Sequence, residues 1–449
     1  MTSRRGAKAT GPVRRIASLL VAAAFPLVAA AAEPAADPSE GREPVKFGGF
    51  LDFMPAYTFA DPGHWSRMVG RLQVSAQGSL SENVKWKLGG RVDGDPVYAT
   101  SDFYPDAVKR DQRARAYWRE NYLDISAGNW DFRIGAQNIV WGEVVGLFFA
   151  DVVSARDMRE FLLPSFDVIR IPQWAARAEY FSGDSHVEFI WIPVPTFDQI
   201  GKPGAEFYPV PLPPRAPAQT LSQFHDPDRP GRSLDNSNYG IRGNTVVNGW
   251  DMAAFYYRSF STSPTFYRHG TGADGDPVVF DPRYDRIWQA GATVSKDFDD
   301  FVMRAEAVYA HGQGYSVNDP TAPEGVSKRN TVDFIVSLEW PLPHDTRVNI
   351  QAFNRTYSGG GAGDIAIKSD GFGASAYVST KVTSTLEPQI LWIQQFSGGG
   401  GLIRPRLNWY AAKNTVASVG VDVFTGPRDG YFGRYGDRDR AYMELRYDF

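Results

Sequence analysis

The feature that most constrains the fold of this chain is a two-residue alternation of apolar and charged side chains. It is clearest at the C-terminus. One face of this segment carries Ala441, Met443, Leu445, Tyr447 and Phe449, and the other carries Tyr442, Glu444, Arg446 and Asp448. Because successive side chains of a β-strand point to opposite faces, we predict a strand with one apolar face and one charged face.

Six further segments show the same alternation: 67–77, 85–93, 132–137, 301–309, 332–340 and 417–423. Beyond the N-terminal region, no uncharged apolar run reaches the 18 residues that suggest a transmembrane helix. Strands of about ten residues with one apolar face are typical of a transmembrane β-barrel, in which lipid-facing and lumen-facing side chains alternate. We therefore predict an all-β fold, a single transmembrane antiparallel β-barrel. A soluble amphipathic edge strand is the alternative interpretation of the C-terminal segment.

The spacing of turn residues predicts the number of strands. Eight short turns rich in Gly, Asn, Asp or Pro alternate with nine connections, most of them longer. This arrangement gives 18 strands, with 16 as the alternative if one hairpin is wrongly divided. Short periplasmic turns and long outer loops are the asymmetry of outer-membrane barrels.

The two ends of the chain predict its location. Residues 1–32 combine basic residues with an apolar stretch and end in Ala30-Ala31-Ala32, as in a signal peptide cleaved before Glu33. Residues 33–44 would then be a short periplasmic segment, and 45–449 the barrel. The C-terminal Leu445, Tyr447 and Phe449 resemble the assembly signal of bacterial outer-membrane barrels. The expected partners are the outer-membrane bilayer and the outer-membrane assembly machinery.

Composition excludes several function classes. The chain has no cysteine, so disulfides, zinc thiolate sites and iron–sulfur clusters are impossible. Its six histidines never lie within five residues of each other, which excludes a helical two-histidine metal motif. With 47 basic and 51 acidic residues it lacks the charge of a nucleic-acid binder. We therefore expect no metal, no cofactor and no nucleic-acid partner.

Residues 141–172 are too apolar for a loop lying in water. We predict that this loop folds into the barrel as a constriction, with a packed cap on the outside surface as the alternative. The candidate pore-lining and constriction residues are Arg71, Arg91, Asp93, Arg133, Gln137, Glu143, Arg156, Asp157, Arg159 and Glu160. The Pro-rich outer loop 195–236 is either a lid over the pore mouth, closed by Phe197, Phe207 and Tyr208, or a stiff spacer. Acidic residues in 271–285, which include Asp274 and Asp276, are expected to be solvated and not to bind calcium.

The same region carries a family resemblance. The segment Ile134-Gly135-Ala136-Gln137-Asn138-Ile139-Val140 is followed by Trp141-Gly142-Glu143, by Asp151 and by the pair Arg156-Asp157. Together these resemble a family of proteobacterial outer-membrane barrels of unknown function, distantly related to alginate-export channels. The resemblance implies an outer-membrane channel that works alongside an inner-membrane or periplasmic transport partner.

A barrel of this width has room for water inside, whereas eight strands would fill with side chains. The sequence therefore favours a channel that passes small or amphipathic solutes through a charged lumen. The alternative is a non-conducting barrel that serves as a scaffold, sheath or surface-binding protein for a partner complex. An enzyme is not expected, because the lipase-like tetrad Gly183-Asp184-Ser185-His186 falls in a short turn with no helix after it.

Overall fold

The structure is a computed structural model that describes residues 44–144, 146–147, 149–209, 222–270, 277–319, 321–359 and 363–449. Eighteen antiparallel strands form one closed barrel, in which β4 consists of two parts. The strands are β1 (Lys46–Thr58), β2 (His64–Ser81), β3 (Val84–Gly94), β4 (Ala114–Trp118 and Asn121–Ala127), β5 (Trp130–Gln137), β6 (Gln173–Ser182), β7 (Ser185–Ile192), β8 (Asn238–Val247), β9 (Trp250–Phe260), β10 (Arg286–Asp297), β11 (Val302–Ser316), β12 (Val326–Leu342), β13 (Thr346–Ser358), β14 (Gly371–Ser379), β15 (Leu386–Gln395), β16 (Gly400–Ala412), β17 (Thr415–Thr425) and β18 (Arg440–Asp448).

The barrel closes where the last strand pairs with the first. Strand β18 runs antiparallel to β1, with Phe50 opposite Asp448. Beyond the strand, the backbones of Gly49 and Phe449 exchange two hydrogen bonds of 2.9 and 3.0 Å. Gly49 has no room for a side chain, since a Cβ there would lie 2.2 Å from the carbonyl oxygen of Gln73. The predicted antiparallel barrel and its 18 strands are confirmed, and the alternative of 16 strands is wrong.

The two faces of the wall follow the predicted alternation. In β18, Met443, Leu445 and Tyr447 are exposed on the outside, whereas Arg440 and Tyr442 are buried on the lumen side. An exposed apolar face with a polar inner face is what a strand in contact with lipid requires.

The two ends of the barrel differ in the length of their connections. At one end, the turn end, eight connections of two to six residues join neighbouring strands. The other end, the loop end, carries the nine other connections, of which seven are longer. These contain the helices Val97–Thr100, Asp106–Gln112 and Phe166–Ile169, the 3-10 turns Met158–Glu160, Leu234–Asn236, Pro323–Gly325 and Gly433–Tyr435, and the short strands Ala155–Arg156, Arg170–Ile171, Ser222–Phe224, Thr265–His269 and Val278–Arg283.

Within the described ranges, no helix has the length and apolar character needed to cross a bilayer. The predicted signal peptide and residues 33–43 lie outside the described residues.

Candidate functional site

The connection between β5 and β6, residues 138–172, packs against the inner wall of the barrel; we call it the inner loop. On one side Trp141 and Val153 share an apolar cluster with lumen-facing residues such as Tyr257 and Val308. On another side a second cluster joins the inner loop to the wall. It includes Val144, Phe161, Leu163, Ile335, Phe353, Ile393, Leu402 and Phe424. Apolar side chains of the inner loop are thus covered by the inner wall.

A single wall carboxylate holds the beginning of the inner loop. Glu306, on β11, is 1% exposed. Its oxygens accept backbone N–H groups from Glu143 at 2.5 Å, Val144 at 2.7 Å and Ala150 at 2.9 Å. Hydrogen bonds to an ionised acceptor are stronger than neutral ones. Glu306 therefore fixes the turn 143–150 to β11.

On the opposite side, a carboxylate of the inner loop binds two wall arginines. Glu160 Oε2 lies 2.8 Å from a guanidinium nitrogen of Arg67 on β2 and 2.6 Å from one of Arg440 on β18. Strands β2 and β11 are nine positions apart in a closed barrel of 18. The inner loop is therefore attached at diametrically opposite strands and spans the lumen.

Beside Glu160, an aromatic cluster holds Phe161. The Phe161 ring centroid lies 4.9 Å from that of Tyr435, 5.3 Å from Tyr431, 5.8 Å from Phe432 and 6.1 Å from Phe424. The backbone of Phe161 has φ 52°, a left-handed conformation that costs free energy in a residue other than glycine. Phe161 adopts this conformation with its ring enclosed by four other aromatic rings.

Between the inner loop and strands β2 to β4 lies a narrow charged cavity of about 40 Å³. Its lining includes five of the predicted residues: Arg71, Asp93, Asp157, Arg159 and Glu160. A sixth, Arg91, ion-pairs with Asp93 at 3.3 Å. We call this space the charged cavity. Its volume admits a few waters but no organic solute.

The ion pairs of the charged cavity link strands and loop. Arg71 donates to both oxygens of Asp93, at 3.0 and 3.3 Å, and to Asp52 at 3.1 Å. In the inner loop, Arg159 bonds to Asp157 and to the hydroxyl of Tyr117.

Two carboxyls of the charged cavity, both outside the strands, have opposite pKa shifts. Burial alone would raise the pKa of Asp157, but the charge and hydrogen bonds of Arg159 outweigh burial and lower this pKa to about 2. Burial raises the pKa of Asp95 to about 6, although Arg67 and the backbone N–H groups of Met68 and Val97 oppose the shift.

Four predicted residues lie apart from the charged cavity. Arg133 pairs with Asp124 at 2.6 Å in a separate polar cavity of about 200 Å³ that the turn residues Glu82 and Asn83 also line. Glu143 pairs with Arg242 on β8 at 3.1 Å.

The other two make contacts that the sequence did not suggest. Arg156 bonds through its backbone N–H to Asp198 and through its guanidinium to the carbonyl of Asp151. Gln137 was expected on the pore surface, but it is fully buried and its amide donates to backbone carbonyls, including that of Ala175 at 3.1 Å. Gln137 is therefore not exposed to an open lumen in this structure, and the pore-lining role of the candidate residues stays a prediction.

Several residues that hold the site were not among the candidates. The alternation of their strands predicts that Arg67 and Glu306 face the lumen. No sequence signal shows that the inner loop reaches them. Arg119 lies in an interruption of β4, where the side-chain amide of Asn121 bonds to the backbone of Gly89 beside a backbone hydrogen bond from Arg119. Because the two-residue alternation stops at this interruption, the sequence does not predict the orientation of Arg119.

The outer loops also pack together. Phe197, Phe207 and Tyr208 are buried, and Phe207 lies 5.3 Å from Tyr435, centroid to centroid. Residues 210–221 of the Pro-rich loop, and Asp274 and Asp276, lie outside the described residues. No cluster of His, Asp or Glu suited to a metal ion occurs in the described ranges.

Comparison with solved structures shows the fold. OccAB3 of Acinetobacter baumannii aligns with a TM-score of 0.51 at 9% identity, covering 90% of this chain and 99% of that one. Salmonella typhi OmpF, in complex with daunomycin, aligns with a TM-score of 0.42 at 10% identity, covering 90% and 97%. A loop-deletion mutant of OmpT, an outer membrane protein of Vibrio cholerae, aligns with a TM-score of 0.42 at 9% identity, covering 91% and 100%.

Comparison with curated proteins finds no match. A family model described as protein of unknown function (DUF1302) matches residues 72–449, most of the chain and nearly all of the barrel. The predicted likeness to alginate-export channels stays a prediction. The chain belongs to the DUF1302 family.

Proposed function

We propose that this protein is an outer-membrane channel without catalytic activity, in which the inner loop narrows the passage of small or amphipathic solutes. The observation that carries the proposal is the attachment of the inner loop at opposite strands, to Glu306 on one side and to Arg67 and Arg440 on the other. A loop held in this way crosses a wide lumen and narrows it.

The charged cavity and the polar cavity near the turns support a route for ions. Both lie on the lumen side, and both are lined by paired charges. Rings of charged side chains select ions in channels. The constriction residues of this route would be Arg71, Arg91, Asp93, Asp157, Arg159 and Glu160.

The proposal includes the location and the route of assembly. The lipid-facing wall and the barrel fold support insertion into the outer membrane after cleavage of residues 1–32. The pairing of Phe449 with Gly49 supports a role for the C-terminus in barrel closure, alongside its role as an assembly signal.

Conductance in a planar bilayer tests the proposal. The wild type is expected to give small single-channel steps, and deletion of residues 146–163 should raise the conductance severalfold, because it removes both Glu160 and the apolar loop. Glu339→Gln, which alters a wall ion pair with Arg304 and does not touch the inner loop, is the control. Absence of steps from both the wild type and the deletion would contradict the channel and favour a non-conducting scaffold.

A further inference from the structure

A row of polar and aromatic side chains crosses the outward face of the wall near the loop end of β8 to β11. Its members lie opposite one another on these four neighbouring strands: Tyr239, Arg258, Trp288 and His311. Opposite residues of paired strands share one face of the sheet. Tyr257, the chain neighbour of Arg258, is buried in the cluster on the lumen side, so the row faces outwards. We call this row the outer patch.

Arg258 is the charge at the centre of the outer patch. Its guanidinium lies 5.7 Å from the ring centroid of Tyr239 and donates to the Tyr239 hydroxyl at 3.4 Å. Among the described residues, Arg258 forms no ion pair with a carboxylate. An arginine on the outward face of a barrel is costly at the bilayer midplane and is tolerated near the interface, where lipid headgroups lie. The position of Arg258 near the loop end of β9 therefore places its charge beside headgroups.

A second guanidinium adds to the positive charge beside the outer patch. Arg286, at the loop end of β10, lies opposite Phe260, and its guanidinium carbon is 3.8 Å from the centroid of that ring. It donates to the backbone carbonyls of Ser237 and Asp235 at 2.9 and 3.0 Å, which fix its position. Carbonyls do not cancel a unit charge, so Arg286 makes the potential around Arg258 more positive.

Aromatic rings fill the remaining surface around Arg258. The Trp288 ring centroid lies 5.2 Å from that of His311 and 5.8 Å from that of Tyr256, with interplanar angles of 22° and 29°. Tyr309 lies 5.3 Å from Trp288 on the other side. Trp and Tyr are enriched at the headgroup level of membranes. Their presence around Arg258 indicates that the outer patch lies at this level.

The far side of the barrel differs at the same end. There the corresponding outward positions on β15 to β18 are uncharged, as in Trp392, Ile403, Val423 and Ala441. Aromatic and aliphatic side chains alone meet the needs of a wall in contact with lipid. The guanidinium of Arg258 is therefore not required by the barrel fold, and it calls for a partner outside the protein.

We propose that the outer patch binds the phosphorylated sugar headgroup of a glycolipid in the outer leaflet, with Arg258 on a phosphate and the rings of Tyr239 and Trp288 on the sugar. A guanidinium donates two parallel hydrogen bonds to a phosphate. Tyr and Trp offer an apolar ring face and a polar group, which suits a sugar ring better than a flexible phosphoglycerol chain. This site goes beyond the proposed channel and requires only the outer-membrane location with the loop end outside.

Native mass spectrometry of the purified protein in detergent tests the site, with lipid A as the probe. Lipid A, an acylated and phosphorylated glucosamine disaccharide, is expected to bind saturably. Its fully dephosphorylated form should bind about tenfold more weakly, because the charge-assisted hydrogen bonds are lost. Phosphatidylglycerol, which has the phosphate without the sugar, should also bind about tenfold more weakly than lipid A. Lipid A binding that is absent, or no tighter than that of either comparison lipid, would overturn the proposal.

Variants assign the site to Arg258. Arg258→Gln should weaken lipid A binding about tenfold, and Arg258→Lys, which keeps the charge without the planar donor fork, should lie between it and the wild type. The control is Lys296→Gln. Lys296 faces outwards on β10 at the turn end, 5.0 Å from the ring centroid of Trp250, and its loss should leave the affinity within about twofold. An unchanged affinity in Arg258→Gln would contradict the assignment. If that variant fails to fold, the three lipids compared on the wild type still decide.

Conductance and lipid binding distinguish the two proposals. Arg258→Gln should leave the single-channel conductance unchanged, because Arg258 lies on the outward face of the wall. Steps in a bilayer without lipid A binding would contradict the outer patch alone. Lipid A binding without steps would contradict the channel and leave the outer patch in place.

Discussion

The loop-end and turn-end halves of the lumen use similar ion pairs in different ways. In the loop-end half, buried pairs join the wall to a segment that crosses the lumen, as Glu160 does with Arg67 and Arg440. Nearer the turns, partly exposed pairs join neighbouring strands, as in Arg304 with Glu339. The first kind positions a loop, and the second kind stiffens a wall.

We therefore expect ion pairs of the same residue types to contribute different free energies of stabilisation in the two halves. Breaking a buried pair leaves an uncompensated charge and costs about 3–5 kcal/mol, whereas an exposed pair contributes about 0–1 kcal/mol. The free energy that a charged residue on the lumen face contributes therefore depends on whether other residues cover it.

The largest effect is expected for Glu306→Ala. It leaves three N–H groups of the inner loop without an acceptor, two of them in buried residues, so we expect a loss of about 3–5 kcal/mol in the free energy of unfolding. Glu339→Ala, in the turn-end half, should lose at most about 1 kcal/mol. Equilibrium denaturation of both variants in lipid vesicles measures the difference. Equal losses would remove the distinction between the two halves.

A substitution on the lipid face of the wall is expected to rank second. Val74, on β2, is exposed on the outside, and Val74→Arg should destabilise the barrel by about 2–4 kcal/mol if it lies near the bilayer midplane. Gln77→Arg, on the lumen face of the same strand, should cost less than about 1 kcal/mol. The same vesicle assay measures both, and the reverse order would show that the two faces are exchanged.

The raised pKa of Asp95, which lines the charged cavity, predicts that the free energy of unfolding depends on pH. Its pKa of about 6 in the folded state exceeds the ordinary 3.8, so its favourable contribution is complete below pH 3.8 and is lost as pH rises through 6. Asp95→Asn should therefore gain about 2–3 kcal/mol relative to the wild type between pH 4 and pH 7. Unfolding measured for both proteins at the two pH values tests this. A difference that does not change with pH would contradict the raised pKa.

The smallest effect is expected at Glu143. Glu143→Gln leaves Arg242 without its carboxylate partner and should shift the ion selectivity modestly towards anions. The reversal potential in a salt gradient measures the shift, with Glu339→Gln as the control. An unchanged reversal potential would place Glu143 outside the ion route.

The sequence predicted the barrel because its signal is local: alternation within strands and turn residues between them. The lumen orientation of Arg71, Asp93 and Glu306 follows from that alternation. What it could not give is the set of contacts across the lumen, such as Glu306 with the turn 143–150, because those partners are more than 150 residues apart.

The central claim, that the inner loop narrows the loop-end half of the lumen, is tested most directly by cysteine labelling. The chain has no cysteine, so Ser295→Cys on the lumen face of β10 gives a reagent a single target. In intact cells, a bulky membrane-impermeant maleimide added outside should label Ser295→Cys at least tenfold faster when residues 146–163 are deleted. The purified Ser295→Cys protein with its loop intact should be labelled readily in detergent, through the turn end. Equal rates in cells with and without the loop would contradict the claim.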